Sequence, residues 1–542
     1  MTIGKVLLVN YAGYWMTANS FIADSSLALL AGILLQNNIE TEIIDFQNPN
    51  DIGKIMEYDN MPWAEGIIES LNQKVPMKDE DLEGYSKQRS EGQRLFEEEK
   101  TKWLIEKIAQ ENIQAIGFKL WIGNGLLGTI SMAKKIKEKF PHLKLIAGGP
   151  GVQFAQNFFY DFTDVFDHAV YGEAEEILVP LLKGQTDVDN LLGPKTMTKK
   201  SFLADLNDNP MPVYDPKIYP NIESFYKIRI IDDSRGCFNK CSFCSHTTFS
   251  GTSIRKKEVK RVVDEIQKSF VEEGVQYFRL SGSNPPWKFL VGIGEEILKR
   301  KLPVFYSAFS SFNNTNKADF PLLYKSGLRS ILYGLESGDE AYLKRIHNKS
   351  NLSHKHIIET SKEAMKNNIF IGISVIYPSP FETEETGNTT LNLIREIFSE
   401  LNHGSIFCSP PLLSPGSLWW NNMETYGLSF PEGYDKKKYT EEVMIWDANF
   451  LLPRDKIKSL PYLVDNKSCS QVFLENQNFL KKIESMGITT NIDDTAFMLS
   501  LLKGQNPFEF KKMAMQNLIL GGQSRLAGQV QSNPNENLNA WP

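Results

Sequence analysis

The sequence predicts an α/β protein made of two successive strand–helix alternations, a doubly wound parallel sheet and then an open partial barrel, followed by a mostly helical C-terminal region. Three observations predict it. Short apolar runs of strand length alternate with helical periodicity from Lys5 onward. A turn-rich interruption containing Pro210, Pro212 and Pro216 separates that alternation from a second one. With 41% apolar and 23% charged residues over 542 positions, the chain can bury several cores and is not of disordered composition. At roughly 150 residues per domain its length corresponds to about three domains.

The elements follow in order. Lys5 to Asn10 (KVLLVN) reads as a buried strand, Ser26 to Gln36 as an apolar helix, and Glu40 to Phe46 as a second strand. Asn48 to Gln110 is charged and helix-like, an insertion before the strand Ala115 to Lys119. A helix at Ile130 to Phe140 leads to the strand Lys144 to Ala147, which runs into Gly148-Gly149-Pro150. A short strand, His168 to Tyr171, ends at Gly172-Glu173. This alternation implies a parallel sheet with its ligand site outside the carboxyl ends of the strands.

From Asp187 to Ser224 the periodicity fades into an ordered linker. Strands of the second alternation end near Asp233, Ser281, Ser310, Glu336, Ile376 and Cys408, with helices expected at 256–273, 288–300, 317–326, 353–367 and 383–400. Six such units predict an open partial barrel whose chemistry gathers at the carboxyl ends of its strands. Past Leu418 the pattern is mixed and mostly helical, ending in an Asn-rich tail from Gln531 to Pro542. The expected divisions are 1–195, a linker at 196–225, 226–420 and 421–542, with no internal repeat.

Composition narrows the function classes. A net charge of -7 gives no broad basic field for phosphate backbones, so nucleic acid is not an expected partner. The apolar run Leu27 to Leu35 is about half of the roughly 20 residues a spanning helix needs, and no basic segment with a cleavage site opens the chain, so the expectation is a cytoplasmic protein without membrane contact. Five cysteines are too few for a disulfide scaffold.

Three of them, Cys237, Cys241 and Cys244, lie in RGCFNKCSFCSH, where the first barrel strand should end. Structural zinc takes four ligands, and no fourth Cys or paired His stands at a finger-like spacing, although His246 could be argued into one. A four-cysteine ferredoxin site fails for the same reason. Three thiolates can hold three irons of a [4Fe-4S] cluster and leave one iron open to a substrate or cofactor. Cys408 and Cys469 read as small buried hydrophobes, and Trp419, Trp420, Trp446 and Tyr434 read as core more readily than as a substrate pocket.

The CxxxCxxC spacing of the three cysteines resembles the defining motif of the radical S-adenosylmethionine (SAM) superfamily. The resemblance implies that the open iron chelates SAM and that one-electron reduction cleaves it to a 5'-deoxyadenosyl radical, with a low-potential donor such as flavodoxin or ferredoxin as partner. It implies that Phe243 packs near adenine and that Ser281-Gly282-Ser283 meets the methionine amino group, although the acidic member of that family motif is missing. The segment LYGLESGDEAYLKRIHNKS, from Leu332 to Ser350, resembles the fourth-strand signature of the cobalamin-binding branch, so Glu336 and Ser337 are expected at the cofactor ribose or carboxylate. IGISVIYPSPFETEE (371–385) and PPLLSPGS (410–417) follow the same branch, with Gly372 to Pro378 expected against adenine.

Ala115 to Lys119, the GGP at 148–150 and YGEAEEIL at 171–178 resemble the Rossmann-like cobalamin-binding domain that precedes a partial (β/α)6 TIM-type barrel in that branch. Lys119, Leu120, Trp121, Gly148, Gly149, Gly172 and Glu173 are the expected cobalamin contacts. The loop Asn10 to Ser20 has no histidine, and Asp167-His168 has the wrong spacing to its glycine, so cobalamin is expected without a protein nitrogen on cobalt, with Leu120 or Trp121 over that face. The resemblance spans residues 1–420 and implies a cobalamin-dependent radical SAM C-methyltransferase acting on an unactivated carbon of a peptide or natural-product intermediate. The alternatives are a cobalamin-dependent cyclase, ring-contracting enzyme or mutase, and a cofactor-binding sensor without turnover.

Overall fold

The computed structural model describes residues 3–11, 21–55, 63, 66–67, 69, 78–193, 196–349, 353–446 and 458–510. The chain divides into two compact units, one of residues 1–199, 212–226 and 500–542, the other of residues 200–211 and 227–499. The expected linker is thus shared between the two units, and residues 421–499 belong with the second alternation.

In the first unit, strands Lys5–Asn10 (β1), Thr41–Asp45 (β2), Ile113–Lys119 (β3), Lys144–Gly148 (β4), His168–Val170 (β5), Leu191–Gly193 (β6) and Thr196–Met197 (β7) form one sheet in the order β2-β1-β3-β4-β5-β6-β7. The first five run parallel, and β6 and β7 add antiparallel. Residues 6–10 of β1 are all buried, which is why its sequence shows no alternation: both faces of the strand are covered. The order β2-β1-β3-β4-β5 reverses direction between β1 and β3, the switch point at which folds of this order leave a crevice for a ligand. The expected insertion contains the 32-residue helix Asp79–Gln110. The hairpin β6–β7 falls where periodicity fades, because strands of three and two residues are too short to display one.

In the second unit, Ile228–Ile231 (β8) is followed by the two-residue strands Ser234–Arg235 (β9) and Arg255–Lys256 (β10), then by Tyr277–Leu280 (β11), Phe305–Ser310 (β12), Leu328–Glu336 (β13), Phe370–Ile376 (β14) and Gly404–Ser409 (β15). Strands β8 and β11 to β15 form a six-stranded parallel sheet in sequence order, with the short antiparallel pair β9–β10 beside it. One face of the sheet buries its apolar residues against the helices Val259–Glu273, Trp287–Arg300, His354–Lys366 and Glu384–Ile397, including Ile266, Ile293, Ile331, Ile373 and Ile394. These helices begin and end within three residues of their expected bounds.

The C-terminal stretch is mixed rather than mostly helical. Its helices Lys436–Met444, Cys469–Ser485 and Asp494–Leu502 accompany a three-stranded antiparallel sheet of Leu428–Ser429, Leu463–Val464 and Lys467–Ser468. The Asn-rich tail lies outside the described residues. Among the described residues no helix is long and apolar enough to cross a membrane.

Candidate active site

The cysteine loop leaves the carboxyl end of β8, and its neighbours explain its path. Asp233, fully buried, accepts the Gly282 amide at 2.7 Å and the Ser234 hydroxyl at 3.0 Å, tying the end of β8 to the turn after β11. Burial pushes its carboxyl up to about 6. Gly236 adopts φ +85, and a Cβ there would run into the Ser253 carbonyl, so only glycine admits the turn into Cys237. The Cys237 amide donates to Gly251 and the Cys244 amide to Cys241, closing the loop.

Between the last two cysteines, Ser242 is anchored on three sides. Its amide donates to the His347 carbonyl at 3.0 Å, its hydroxyl to Ile346, and its carbonyl accepts from the Trp419 amide at 2.9 Å. Phe243 packs its ring on His347 and Trp419, with centroids 5.4 and 5.8 Å away. Burial raises the Cys241 thiol to about 12 and raises that of Cys244, whose sulfur accepts the His246 amide at 3.4 Å. The His246 ring meets the Ser283 hydroxyl at 3.1 Å, which brings the expected SAM-binding turn to the loop. Among the described residues no three His, Cys, Asp or Glu side chains gather tightly enough for a single ion, the arrangement zinc requires. The donor set of three cysteines outside any disulfide, partly accessible on one loop, fits a cluster that takes one thiolate per iron.

Glu336 ends β13 at φ +69, an unusual backbone for a non-glycine residue and one that the irregular β13–β14 register produces. One carboxylate oxygen takes the Lys349 ammonium at 2.8 Å, and the other has the Ser374 hydroxyl at 3.4 Å. Burial works against the Lys349 charge, yet Glu336 and then Cys241 hold its pKa above the usual value, so this ammonium couples the acid to the cysteine loop. Ser337 differs from expectation. It is buried, and its hydroxyl meets Thr390 at 3.2 Å and the Asp339 amide at 3.3 Å, so it braces the strand end instead of lining the site. Cys408 and Cys469 are buried, as are Trp419, Trp420 and Trp446; Tyr434 is exposed.

In the first unit the expected contacts also meet at strand ends. The Leu120 amide donates to Gly148 at 2.8 Å, and the Gly151 amide to Leu120 at 2.9 Å, zipping together the loops after β3 and β4. Gly149, at φ +93, would press a Cβ onto the Leu120 carbonyl at 3.1 Å, whereas one at Gly148 would meet nothing nearer than the Val170 carbonyl at 4.0 Å. The strand end at Gly148 is thus open backbone with no side chain over it, room into which a large flat ligand could come close. Gly172 and Glu173 follow β5 and are braced by Asn190, whose side chain donates to the Glu173 carbonyl at 3.0 Å. Leu120 is fully buried in protein, which leaves partly exposed Trp121 as the bulky side chain of that pair at the open edge. Past Tyr11, the Asn10–Ser20 loop lies outside the described residues. Asp167 accepts the Leu145 amide at 2.7 Å, and His168 opens β5.

Sequence reasoning missed a polar row at the carboxyl edge. Asn10, Asp45 and Lys119 end three adjacent strands in register. The Asn10 amide donates to Asp45 at 2.9 Å and accepts the Trp121 indole N–H at 2.8 Å, while Tyr219 donates its hydroxyl to Asp45 from 174 residues away. Lys119 pairs with Asp24 and lies 4.7 Å from the centre of the Trp121 ring. The available signal was a polar residue closing the apolar run at the end of each of three strands. Lys349 and His347 stood within the fourth-strand signature without being singled out.

Comparison with known proteins bears on both units. Residues 231–394 match the model of the radical SAM superfamily. The chain is 23% identical over 308 residues to an uncharacterized methyltransferase, PH0819, of Pyrococcus horikoshii, covering 53% of this chain and 64% of that one. It is 27% identical over 302 residues to the anaerobic magnesium-protoporphyrin IX monomethyl ester cyclase of Cereibacter sphaeroides, covering 51% and 48%. It therefore spans between about half and two thirds of these relatives' length. In fold it is similar to the radical SAM methyltransferase TsrM of Kitasatospora setae, solved with cobalamin and a [4Fe-4S] cluster bound, at a TM-score of 0.60 and 13% identity, over 97% of this chain and 100% of that one. The matched segment runs from the end of β8 through all three cysteines, the Gly282 turn and Glu336, so it is over residues 231–394 that this chain resembles the radical SAM superfamily.

Proposed function

We propose that the chain is a cobalamin-dependent radical SAM methyltransferase acting on an unactivated carbon of a small natural product or peptide. The observation that carries this reading is the presence in one chain of a three-cysteine loop at the carboxyl end of a six-stranded parallel sheet and a separate doubly wound sheet with an open backbone edge at the end of β4, next to the strand β3 that borders its switch point. A [4Fe-4S] cluster would supply the electron that cleaves SAM, and cobalamin the methyl group, chemistry that no side chain here offers.

The protein's own work is holding and orienting. Cys237, Cys241 and Cys244 hold the cluster, and Ser242, locked to residues 346–347 and 419, fixes the spacing of the last two. The Gly282–Ser283 turn, tied to Asp233 and His246, and Glu336, whose second oxygen meets Ser374, would hold SAM. The Lys349 ammonium pairs with Glu336 at 2.8 Å beside the cysteine loop, so neither side chain is buried without a partner. In the first unit the Gly148–Gly149 edge, the Gly172–Glu173 turn and Trp121 would hold cobalamin, which would supply the methyl group. Electrons come from a low-potential donor of the flavodoxin or ferredoxin kind.

Incubation of reconstituted protein with reductant and methyl-deuterated SAM tests the reading. Deuterium in the product and 5'-deoxyadenosine are expected. A cyclase among the relatives keeps a non-methylating radical reaction as the second reading, and an unlabelled product formed alongside 5'-deoxyadenosine would select it.

A further inference from the structure

The polar row under Trp121 is more than a strand-end cap. Asp45 is buried at 1% exposure and Tyr219 at 0%, and polar groups so deeply buried cost free energy unless each is hydrogen-bonded. The connectivity has a direction. Asp45 Oδ1 accepts the Gln47 backbone N–H at 2.9 Å, so it is an acceptor, and the Asn10 atom 2.9 Å away must be its NH2 group. The Asn10 carbonyl is thereby turned toward Trp121, whose indole N–H can only donate. Tyr219 holds the other Asp45 oxygen and itself accepts the Asp24 amide at 3.1 Å. Asp24 in turn pairs with Lys119, whose ammonium lies against the Trp121 ring. Two chains of contacts, one through Asn10 and one through Lys119, converge on a single indole.

We propose that Asn10 and Asp45 are positioning residues that fix the Trp121 indole against the lower face of cobalamin, excluding water from cobalt. The proposal rests on the reading above that cobalamin occupies this carboxyl edge. Burial, and then the Asp24 carboxylate, push Asp45 up to about 7, and the Asn10 orientation holds in either protonation state because Oδ1 keeps accepting from Gln47. An asparagine at position 45 can present the same acceptor to Asn10 and Gln47 and turn its NH2 group to Tyr219. A leucine cannot.

The test is electron paramagnetic resonance of the cob(II)alamin form of wild type, Trp121→Ala, Asn10→Leu, Asp45→Leu and Asp45→Asn, each loaded to saturation. The expected result is a spectrum without nitrogen superhyperfine splitting and without axial water in wild type and Asp45→Asn, shifted to the water-coordinated form in Trp121→Ala, Asn10→Leu and Asp45→Leu. If the leucine variants do not fold, Asn10→Ala, which adds no bulk, is read the same way. A shift in Trp121→Ala with none in the Asn10 variant overturns the positioning role and leaves the cobalamin reading standing. Nitrogen splitting in wild type overturns the positioning role, and no cobalamin uptake by wild type overturns both. In apoprotein carrying 5-fluorotryptophan, the resonance lost in Trp121→Phe should move in Asn10→Leu and stay in Asp45→Asn; an unmoved resonance in Asn10→Leu counts against the proposal whether or not cobalamin binds.

Discussion

The Ser242 amide donates to the His347 carbonyl at 3.0 Å, so the loop that carries the three cysteines is anchored on a residue more than one hundred positions away. The anchor is itself unusual. His347 is fully buried, neither ring nitrogen has a hydrogen-bond partner among the described residues, and its ring is boxed by Phe243, Tyr342 and Trp419. Burial, with a smaller contribution from Lys349, lowers its pKa to about 3.

That box gives the barrel unit an acid sensitivity. The folded state keeps His347 neutral down to about pH 3, while the unfolded chain takes up a proton below about 6.5, so acid favours unfolding through this group. Its contribution is intact above pH 6.5 and is lost progressively as pH falls toward 3. Between pH 6.5 and 5 the loss is about 2 kcal/mol. Denaturant unfolding at the two pH values should show a smaller difference for His347→Leu than for wild type; equal differences would remove His347 from the account.

The three cysteines should be inseparable from iron. After anaerobic reconstitution, wild type is expected to hold about four irons per chain, and the Cys237, Cys241, Cys244→Ala triple variant close to none. Four irons retained in the variant would refute the assignment.

Gly282 is a steric prediction. A Cβ at this position would collide with Ser234 Oγ and approach the Asp233 carboxylate within 2.6 Å, and both are tied to the same turn. Gly282→Ala should keep its iron while its yield of 5'-deoxyadenosine falls at least about tenfold, the effect of roughly 1.4 kcal/mol lost from SAM binding or alignment. Undiminished cleavage would separate this turn from SAM.

Lys257 and Glu265 form a doubly hydrogen-bonded ion pair at 2.7 and 2.9 Å, each nearly fully buried, behind the end of β8. Removing one partner strands the other charge, so Lys257→Ala should cost about 3–5 kcal/mol by chemical denaturation, and Lys257→Met with Glu265→Leu should recover much of it. A loss below about 1 kcal/mol would mean that the pair is well solvated in the folded state.

The sequence by itself determined the local facts. The strand–helix alternations, the three-cysteine spacing and the glycines that end strands were legible because each is set by neighbours within a few residues: periodicity by burial of one or both faces, turns by backbone freedom. It marked Glu336 because its motif is contiguous. Only the tertiary structure decided which of these residues act together. Tyr219 reaches Asp45 across 174 residues, Trp419 closes on Ser242, Ser337 turns away to Thr390, and Leu120 is buried while Trp121 is left partly exposed. Such pairings are set by strand order and register, and these follow from packing whole faces of sheet and helix together, a long-range balance of burial that no short window of sequence contains.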